Sequence, residues 1–558
     1  MENPDVLEKP GRKVVLLGNE AIARGALEAG CAFSSCYPGT PSSEVGLTLA
    51  DVAAHTGKIY FEWSTNEKVA TEVAAAASFC GVKSLTAMKH FGLNVASDSF
   101  IPLAYTGVKG GMVNIVADDP LCHSSAQSEQ DTRFYARMGN IPVLEPSSPQ
   151  ECKDFIIRAF EISVRYKMPV IMRTTTMVSH AAGTVKLGRI KWGKRKGRFV
   201  KDPDSYFNLR PHVQELHYRV IKKMDDIEKR YGSLNKMEGS GSTGIITSGI
   251  SYNYVKDAGP RNVKIAKLNL THPISKSFVS KFLKGLKTVI VVEELEPVIE
   301  DFVRGLAKDV NCRAMIHGKD VFPRVSEFSP ELVASGLAKL KVPGVKARNF
   351  SGHDAKLRKL KLPSRKPVFC AGCPHEFTYK AVKKVFGKNT IWAGDIGCYS
   401  IGIFEPYRMQ DFIVSMGGSQ GMAHGIKKVS NQKVVAFIGD STFFHAGMSG
   451  LANIVYNNSN PLIIVMDNSI TAMTGHQQHP GTGYNALWEK TSPIKIENVA
   501  KALGIKHVRV VNPMNQKQME KTLREFSRNK EASLIVSKCM CQILRKRLVR
   551  MKKGGRKK

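Results

Sequence analysis

Between residues 367 and about 544 the chain alternates short apolar runs with amphipathic stretches of helical length. Residues 434–438 (VVAFI) and 461–466 (PLIIVM) are uninterrupted apolar runs, each stopped by polar turn residues and separated by a helical segment. Strands buried on both faces read this way, so the pattern predicts two parallel strands joined by a helix. Residues 13–185 follow the same plan: the runs KVVLLG, GMVNIVAD and PVIMRT alternate with helical stretches such as 67–79. A smaller unit places predicted strands at GIITSG, VKIAKLN and TVIVVEE. The expected organisation is α/β throughout, with doubly wound parallel-sheet domains at 1–185 and 367–544 and a smaller α/β domain at 241–342. Residues 186–240 read as a basic connector, 343–366 as a linker and 545–558 as a basic tail.

Two turns at the ends of predicted strands carry the chemistry. One run stops at Gly439-Asp440-Ser441, the other at Asp467-Asn468. In such a sheet, ligands bind beyond the carboxyl ends of the strands. Magnesium takes a few hard oxygens from protein and the rest from phosphate and water, and Asp440, Asn468 and the carbonyl of Ile470 would supply them. Asp and Asn also favour the turns of any βαβ unit. Spacing separates the two readings: Gly-Asp-Ser, then 26 residues (442–467), then Asn468 follows the thiamine-diphosphate fingerprint, with Ser441 replacing its final Gly. A thiamine enzyme also needs a second α/β domain for the aminopyrimidine, with a carboxyl group beside the ring nitrogen. Glu67, opening the small-residue helix EKVATEVAAAASFCG, is the candidate and Glu72 the competitor. Either also reads as an ordinary surface acid of a helix.

Composition narrows the setting. With 558 residues, 42% hydrophobic and 23% charged, the chain is globular and multidomain. No apolar run approaches the roughly 18 to 20 residues that span a membrane, and the N-terminus is charged, so a cytoplasmic protein is expected. The 11 cysteines are odd in number and scattered, which points to metal or cluster ligation rather than a disulfide framework. Cys370-x-x-Cys373 reads alone as a zinc half-site, a redox pair or half of a cluster site. Cys31, Cys80 and Cys312 lie in apolar contexts and read as core residues. A net charge of +34, from 82 Lys and Arg against 48 Asp and Glu, implies attraction to something acidic without naming it. The basic residues concentrate at 186–201, 339–366 and 545–558, where solvated linkers are the plainer reading.

The motifs together resemble one family, the alpha, thiamine-binding subunits of indolepyruvate ferredoxin oxidoreductases, within the 2-oxoacid ferredoxin oxidoreductase superfamily. The resemblance covers about residues 13–545. It rests on Cys36-Tyr-Pro-Gly-Thr-Pro-Ser-Ser43, Asn66-Glu67-Lys-Val-Ala70, Met88-Lys-His-Phe-Gly-Leu-Asn-Val-Ala96, Asp118-Asp-Pro120, Gln130-Asp131, Cys370-Ala-Gly-Cys-Pro-His375, Gly394-Asp-Ile-Gly-Cys398 and Thr471-Ala-Met-Thr-Gly-His-Gln477. It implies two thiamine-diphosphate-binding-type domains, with Glu67 as the pyrimidine-activating acid and Thr40 and His90 near the substrate. Gly439, Asp440, Ser441, Asn468, Ile470 and Thr474 would bind the cofactor, with Mg2+ on Asp440, Asn468 and Ile470. Cys370, Cys373, Cys398 and Cys541 resemble the ligand set of a 4Fe-4S cluster, which needs four thiolates; Cys539 competes with Cys541 for the last place.

The activity implied is oxidative decarboxylation of an aryl 2-oxoacid to an aryl-acetyl-coenzyme A, with a companion beta subunit in a hetero-oligomer and ferredoxin as electron acceptor. Pyruvate enzymes of the superfamily have Asn-Thr-Gly-Gly where this chain has Met473-Thr-Gly-His476, a change that fits a larger, aromatic substrate. Many family members continue into a domain with further cluster cysteines, whereas this chain ends in RKRLVRMKKGGRKK. Electrons are therefore expected to pass to a separate ferredoxin, or to a ferredoxin-like subunit encoded elsewhere, and an acidic ferredoxin would be steered by the basic surface. Two rivals remain open. A non-oxidative thiamine-dependent decarboxylase would not need the cysteines. A nucleic-acid-binding protein on a degenerate enzyme scaffold would explain the charge, but the basic runs carry no interleaved aromatics.

Overall fold

The computed structural model describes residues 3–206, 208–210, 212–347, 351–360, 363 and 367–554. Parts of the sequence-read linker (348–350, 361–362, 364–366), two positions of the connector (207 and 211) and the last four residues of the basic tail lie outside the described residues. The chain forms two compact units, Met1–Leu362 and Pro363–Lys558.

The N-terminal unit is built on a seven-stranded sheet in the order Leu270–His272, Val143–Leu144, Val170–Thr175, Met112–Asp118, Ser84–Lys89, Phe33–Cys36, Tyr60–Trp63. All neighbours are parallel except the antiparallel edge strand Leu270–His272. Ser84–Lys89, Met112–Asp118 and Val170–Thr175 are buried at every position, because helices cover both faces of the sheet. Lys13–Leu17, read from sequence as a strand of this domain, instead pairs antiparallel with Ala182–Lys186 in a separate two-stranded ribbon. Its alternating burial suits a strand wetted on one face.

A second sheet in this unit runs Met315–His317, Thr288–Val292, Thr243–Ser248, Val263–Leu268, Lys236–Gly239, with only the last strand antiparallel. The basic connector contains a 20-residue helix, His212–Tyr231, which buries Leu216, Val220, Met224 and Ile227 at helical spacing.

The C-terminal unit has five parallel strands in the order Ile391–Ala393, Val434–Gly439, Leu462–Asp467, Ser533–Lys538, His507–Val511. Val435, Phe437, Ile464, Met466 and Ile535 point to one face, where they pack with Tyr379, Trp392, Tyr399, Met519 and Phe526. Ile438, Ile463, Val465, Leu534 and Val536 point to the other, against Phe443, Leu451, Ile454, Ile496 and Ile505. The two clusters use alternate positions of the same strands, which is why the apolar runs show no polar interruption. The last strand in sequence, Ser533–Lys538, lies inside the sheet beside Leu462–Asp467.

Candidate functional site

In the N-terminal unit, three neighbouring parallel strands end side by side, and the turn after each carries one expected residue. Tyr60–Trp63 leads to Glu67, Phe33–Cys36 to Thr40 and Ser84–Lys89 to His90. Glu67 is the first residue of the helix Glu67–Phe79, whose Asn66 cap accepts the Val69 N–H at 2.9 Å. Its side chain is buried and lies against the helix His90–Phe100 at Gly92. A Cβ on Gly92 would meet the Glu67 Cγ at 2.6 Å and Oε1 at 2.8 Å, so the glycine is what lets the two helices close over this carboxyl. Glu72, the competing acid, lies on the surface, accepting from Lys68 Nζ at 2.7 Å and Ser99 Oγ at 2.6 Å.

His90 is fully buried at the start of its helix, with Nε2 3.3 Å from the Ser128 carbonyl. Burial pushes it below the ordinary histidine range, against the pull of Asp118, so the ring is neutral at pH 7. Beside it, burial brings Lys89 down to about 8 although Asp119 lies 3.7 Å away. Thr40 is half-buried in a turn held by Ser42, whose N–H and hydroxyl both donate to the Gly39 carbonyl, and by Asn19, which donates to the Pro41 carbonyl.

In the C-terminal unit, four neighbouring strand ends converge. Asp440 follows Val434–Gly439 and opens a helix that passes through a π-helical turn, Phe443–Gly447, a feature frequent at functional sites. Its carboxylate accepts the N–H of Ser441 at 3.0 Å, the N–H of Ser469 at 2.8 Å and His479 Nε2 at 3.1 Å. Burial opposes its ionisation, but the charge and hydrogen bond of His479 outweigh it and hold Asp440 below the usual carboxylate range. Asp467 is pushed up by burial and by the charge of Asp440, with Lys538 2.9 Å away as partial compensation. Two buried carboxylates in this position favour a cation.

Asn468 Oδ1 accepts the Ile470 N–H at 3.2 Å, and Nδ2 donates to His375 Nε2 at 3.1 Å. Burial lowers His375 to about 4, so it is neutral and can accept, which fixes the direction the amide faces. A carboxylate, an amide oxygen and a main-chain carbonyl are the donors that a magnesium-held diphosphate uses, and Asp440, Asn468 and Ile470 fit that requirement in kind. Among the described residues, no three His, Cys, Asp or Glu side chains are gathered closely enough to hold a metal ion by themselves.

The cysteines meet at the same edge of the sheet. Cys398 lies five residues beyond Ile391–Ala393 and Cys541 three beyond Ser533–Lys538. Cys373 caps the N-terminus of the helix Pro374–Val385. That helix feeds the strand Ile391–Ala393, so it starts at the carboxyl edge. Burial pushes the Cys398 thiol up to about 12, and Cys373, Cys541 and Cys370 push it further in that direction. Burial likewise raises Cys373 to about 11, with Cys370 and Cys541 adding to it and the backbone N–H groups of His375 and Glu376 opposing. The charges of Cys370, Cys373 and Cys541 thus all act on Cys398, and those of Cys370 and Cys541 on Cys373. Cys539 is outside the group: burial raises its thiol, and the charge felt there is that of Arg545.

Three residues of this edge escaped the sequence reading as individuals. His375 and His479 hold Asn468 and Asp440. Asp395, pushed up to about 6 by burial, accepts the backbone N–H groups of Gly417, Ile396 and Ser419 and so ties the Cys398 loop to the next helix. His375 and Asp395 lie inside quoted motifs, so proximity to Cys373 and Cys398 was the available signal. Thr474 donates to Gln477 Oε1 at 2.6 Å within the loop 471–477, while Met473 is half-exposed.

Known families match both units. Residues 395–537 match the thiamine pyrophosphate enzyme C-terminal TPP binding domain, and residues 24–216 match the pyruvate flavodoxin/ferredoxin oxidoreductase thiamine-diphosphate-binding family. Both are thiamine-diphosphate-binding families, so thiamine diphosphate is the cofactor class for which these domains are built. A solved 2-oxoglutarate:ferredoxin oxidoreductase from Magnetococcus marinus is 17% identical, with a TM-score of 0.48 over 60% of this chain and 66% of that one. The indolepyruvate oxidoreductase subunit IorA of Thermococcus kodakarensis is 44% identical over 99% of this chain and 89% of its own length. That of Pyrococcus horikoshii is 45% identical over 96% of this chain and 87% of its own. Identity at this level along nearly the whole of each sequence places the chain in the family of the indolepyruvate oxidoreductase IorA subunits.

Proposed function

We propose that the chain is the thiamine-binding subunit of an indolepyruvate:ferredoxin oxidoreductase, which converts an aryl 2-oxoacid and coenzyme A to an aryl-acetyl thioester and carbon dioxide and passes two electrons to ferredoxin. The observation that carries this reading is the company Asp440 and Asn468 keep. Cys370, Cys373 and Cys541 all act electrostatically on Cys398 near the same sheet edge, and a decarboxylase that removes no electrons has no use for four such thiols. When bound, thiamine diphosphate supplies the electron sink for decarboxylation, Mg2+ anchors its diphosphate, and a 4Fe-4S cluster takes up electrons singly.

Asp440, Asn468 and the Ile470 carbonyl would hold the magnesium, with Gly439, Ser441 and Thr474 serving the diphosphate. His479 and His375, hydrogen-bonded to Asp440 and Asn468, would keep these two donors aimed. Glu67 would hold a proton at the pyrimidine ring nitrogen. A carboxyl closed under Gly92 is shielded from water, which strengthens that single hydrogen bond. His90 and Thr40, from the two neighbouring strand ends, would face the substrate; neutral His90 would offer a hydrogen bond without adding a charge. The companion beta subunit, ferredoxin and a cytoplasmic setting complete the proposal, and nucleic acid is not a partner in it. Among the described residues, no helix is long and apolar enough to cross a membrane.

The test is anaerobic purification with the companion subunit, followed by assay of iron, sulfide and thiamine diphosphate per chain and of viologen reduction by indolepyruvate. About four irons and reduction that requires coenzyme A are expected. Bound thiamine diphosphate without iron, and an aldehyde as product, would replace this reading with the non-oxidative decarboxylase.

A further inference from the structure

His476 stands where the sequence suggested a residue concerned with substrate, yet its ring faces a cysteine. Nε2 lies 3.9 Å from Cys541 Sγ, within N–H···S hydrogen-bonding distance. Both ends of this contact are anchored. The loop 471–477 is closed by the Thr471 N–H on the Gln477 carbonyl at 2.9 Å and the Gln477 N–H on the Thr471 carbonyl at 3.2 Å. Buried Gln477 also donates to the Thr474 carbonyl at 2.7 Å. His476 sits in this loop at φ 67°, a left-handed conformation that the closed loop imposes and that sets the direction of its side chain. On the other side, the Cys541 N–H donates to the Asn468 carbonyl at 3.0 Å, and the Arg545 N–H donates to the Cys541 carbonyl at 2.9 Å.

We infer that His476 is a positioning residue for electron uptake, its ring N–H donating to the Cys541 sulfur and raising the reduction potential of the cluster that Cys541 helps to hold. The inference rests on the cluster reading above. A donor to a ligating sulfur draws off part of its negative charge. The reduced cluster carries one more electron than the oxidised one and gains more from that donor, so the potential moves positive. The Cys541 N–H on the Asn468 carbonyl fixes the backbone from which that sulfur projects.

The experiment uses the complex purified anaerobically with its companion subunit. Iron and sulfide are assayed first, then the midpoint potential is read by EPR-monitored titration in wild type, His476→Leu and His476→Gln. In wild type, electron–nuclear double resonance on the reduced cluster, with histidine labelled with 15N, reads the hydrogen bond directly. The expected result is equal iron in all three proteins, a more negative midpoint in His476→Leu, a midpoint restored toward wild type in His476→Gln, and a labelled coupling in wild type that His476→Leu lacks. Equal midpoints in iron-replete proteins, or no labelled coupling in wild type, would overturn the role of His476 and leave the cluster standing. Wild type without iron would overturn both, and the iron assay tells the two failures apart. If His476→Leu does not retain its cluster, His476→Gln and the labelled wild type decide.

Discussion

Glu67 and Glu72 are five residues apart on one helix, yet they inhabit different media. Glu67 is closed under Gly92, whereas Glu72 is tied to Lys68 at the surface, where an ion pair contributes little. Replacing Glu67 by Gln is expected to lower kcat by about 10²- to 10⁴-fold, the span over which a positioned proton-transfer group acts. Glu72→Gln should stay within a factor of about 2, the effect of a surface change. Steady-state viologen reduction measures both, and equal losses would remove Glu67 from its role. A second pair divides the same way. Cys541→Ser is expected to abolish cluster iron and the EPR signal of the reduced complex, while Cys539→Ser retains both; iron retained in Cys541→Ser would move the fourth ligand elsewhere.

At the scale of elements, close approach and buried charge hold the N-terminal unit. Gly92→Ala would drive a methyl group into the Glu67 side chain and to 2.9 Å from Met88 Cβ. A displacement near 1 Å at a reacting group costs about 10²-fold in rate, so kcat should fall by that order while circular dichroism is unchanged. Arg133, at the start of the helix Arg133–Gly139, pairs with Asp131 at 2.6 Å and, through its other nitrogen, with Glu293 at 2.7 Å just beyond the strand Thr288–Val292. All three side chains are buried. Burial opposes the charge on Asp131, but Arg133 and Arg173 hold its carboxyl far below the usual range. Arg133→Leu would leave buried Asp131 with Arg173 alone and strip buried Glu293 of its guanidinium partner, and is expected to cost about 3–5 kcal/mol of unfolding free energy, read by denaturant titration.

At the scale of the whole molecule, the charge of +34 acts on encounter rather than on fold. The helix Gln542–Gly554 begins directly after Cys541 and exposes Arg545, Lys546, Arg547 and Arg550, so a basic face adjoins the cysteine cluster. Raising salt from about 0.05 M to about 0.5 M shortens the screening length several-fold, and reduction of an acidic ferredoxin should slow by about tenfold or more. Reduction of a viologen by the same preparation should change little; equal slowing of both would place the salt effect in the chemistry instead.

The amino-acid sequence by itself determined what depends on neighbours along the chain. The period of the apolar runs announced parallel strands, because a strand covered on both faces has no polar positions to show. The spacing from Asp440 to Asn468 announced two adjacent strand ends, because one strand, one helix and one strand have a narrow combined length. The tertiary structure decided what depends on strand order. Ser533–Lys538 inserts beside Leu462–Asp467 instead of lying at the edge, and this brings Cys541 onto the Asn468 carbonyl and within reach of His476. Nothing along the chain encodes that neighbour, since residues 468 and 541 are far apart in sequence. Burial was decided there too. Glu67 and Glu72 share a helix and a chemistry, and only the packing of Gly92 against one of them removes it from water.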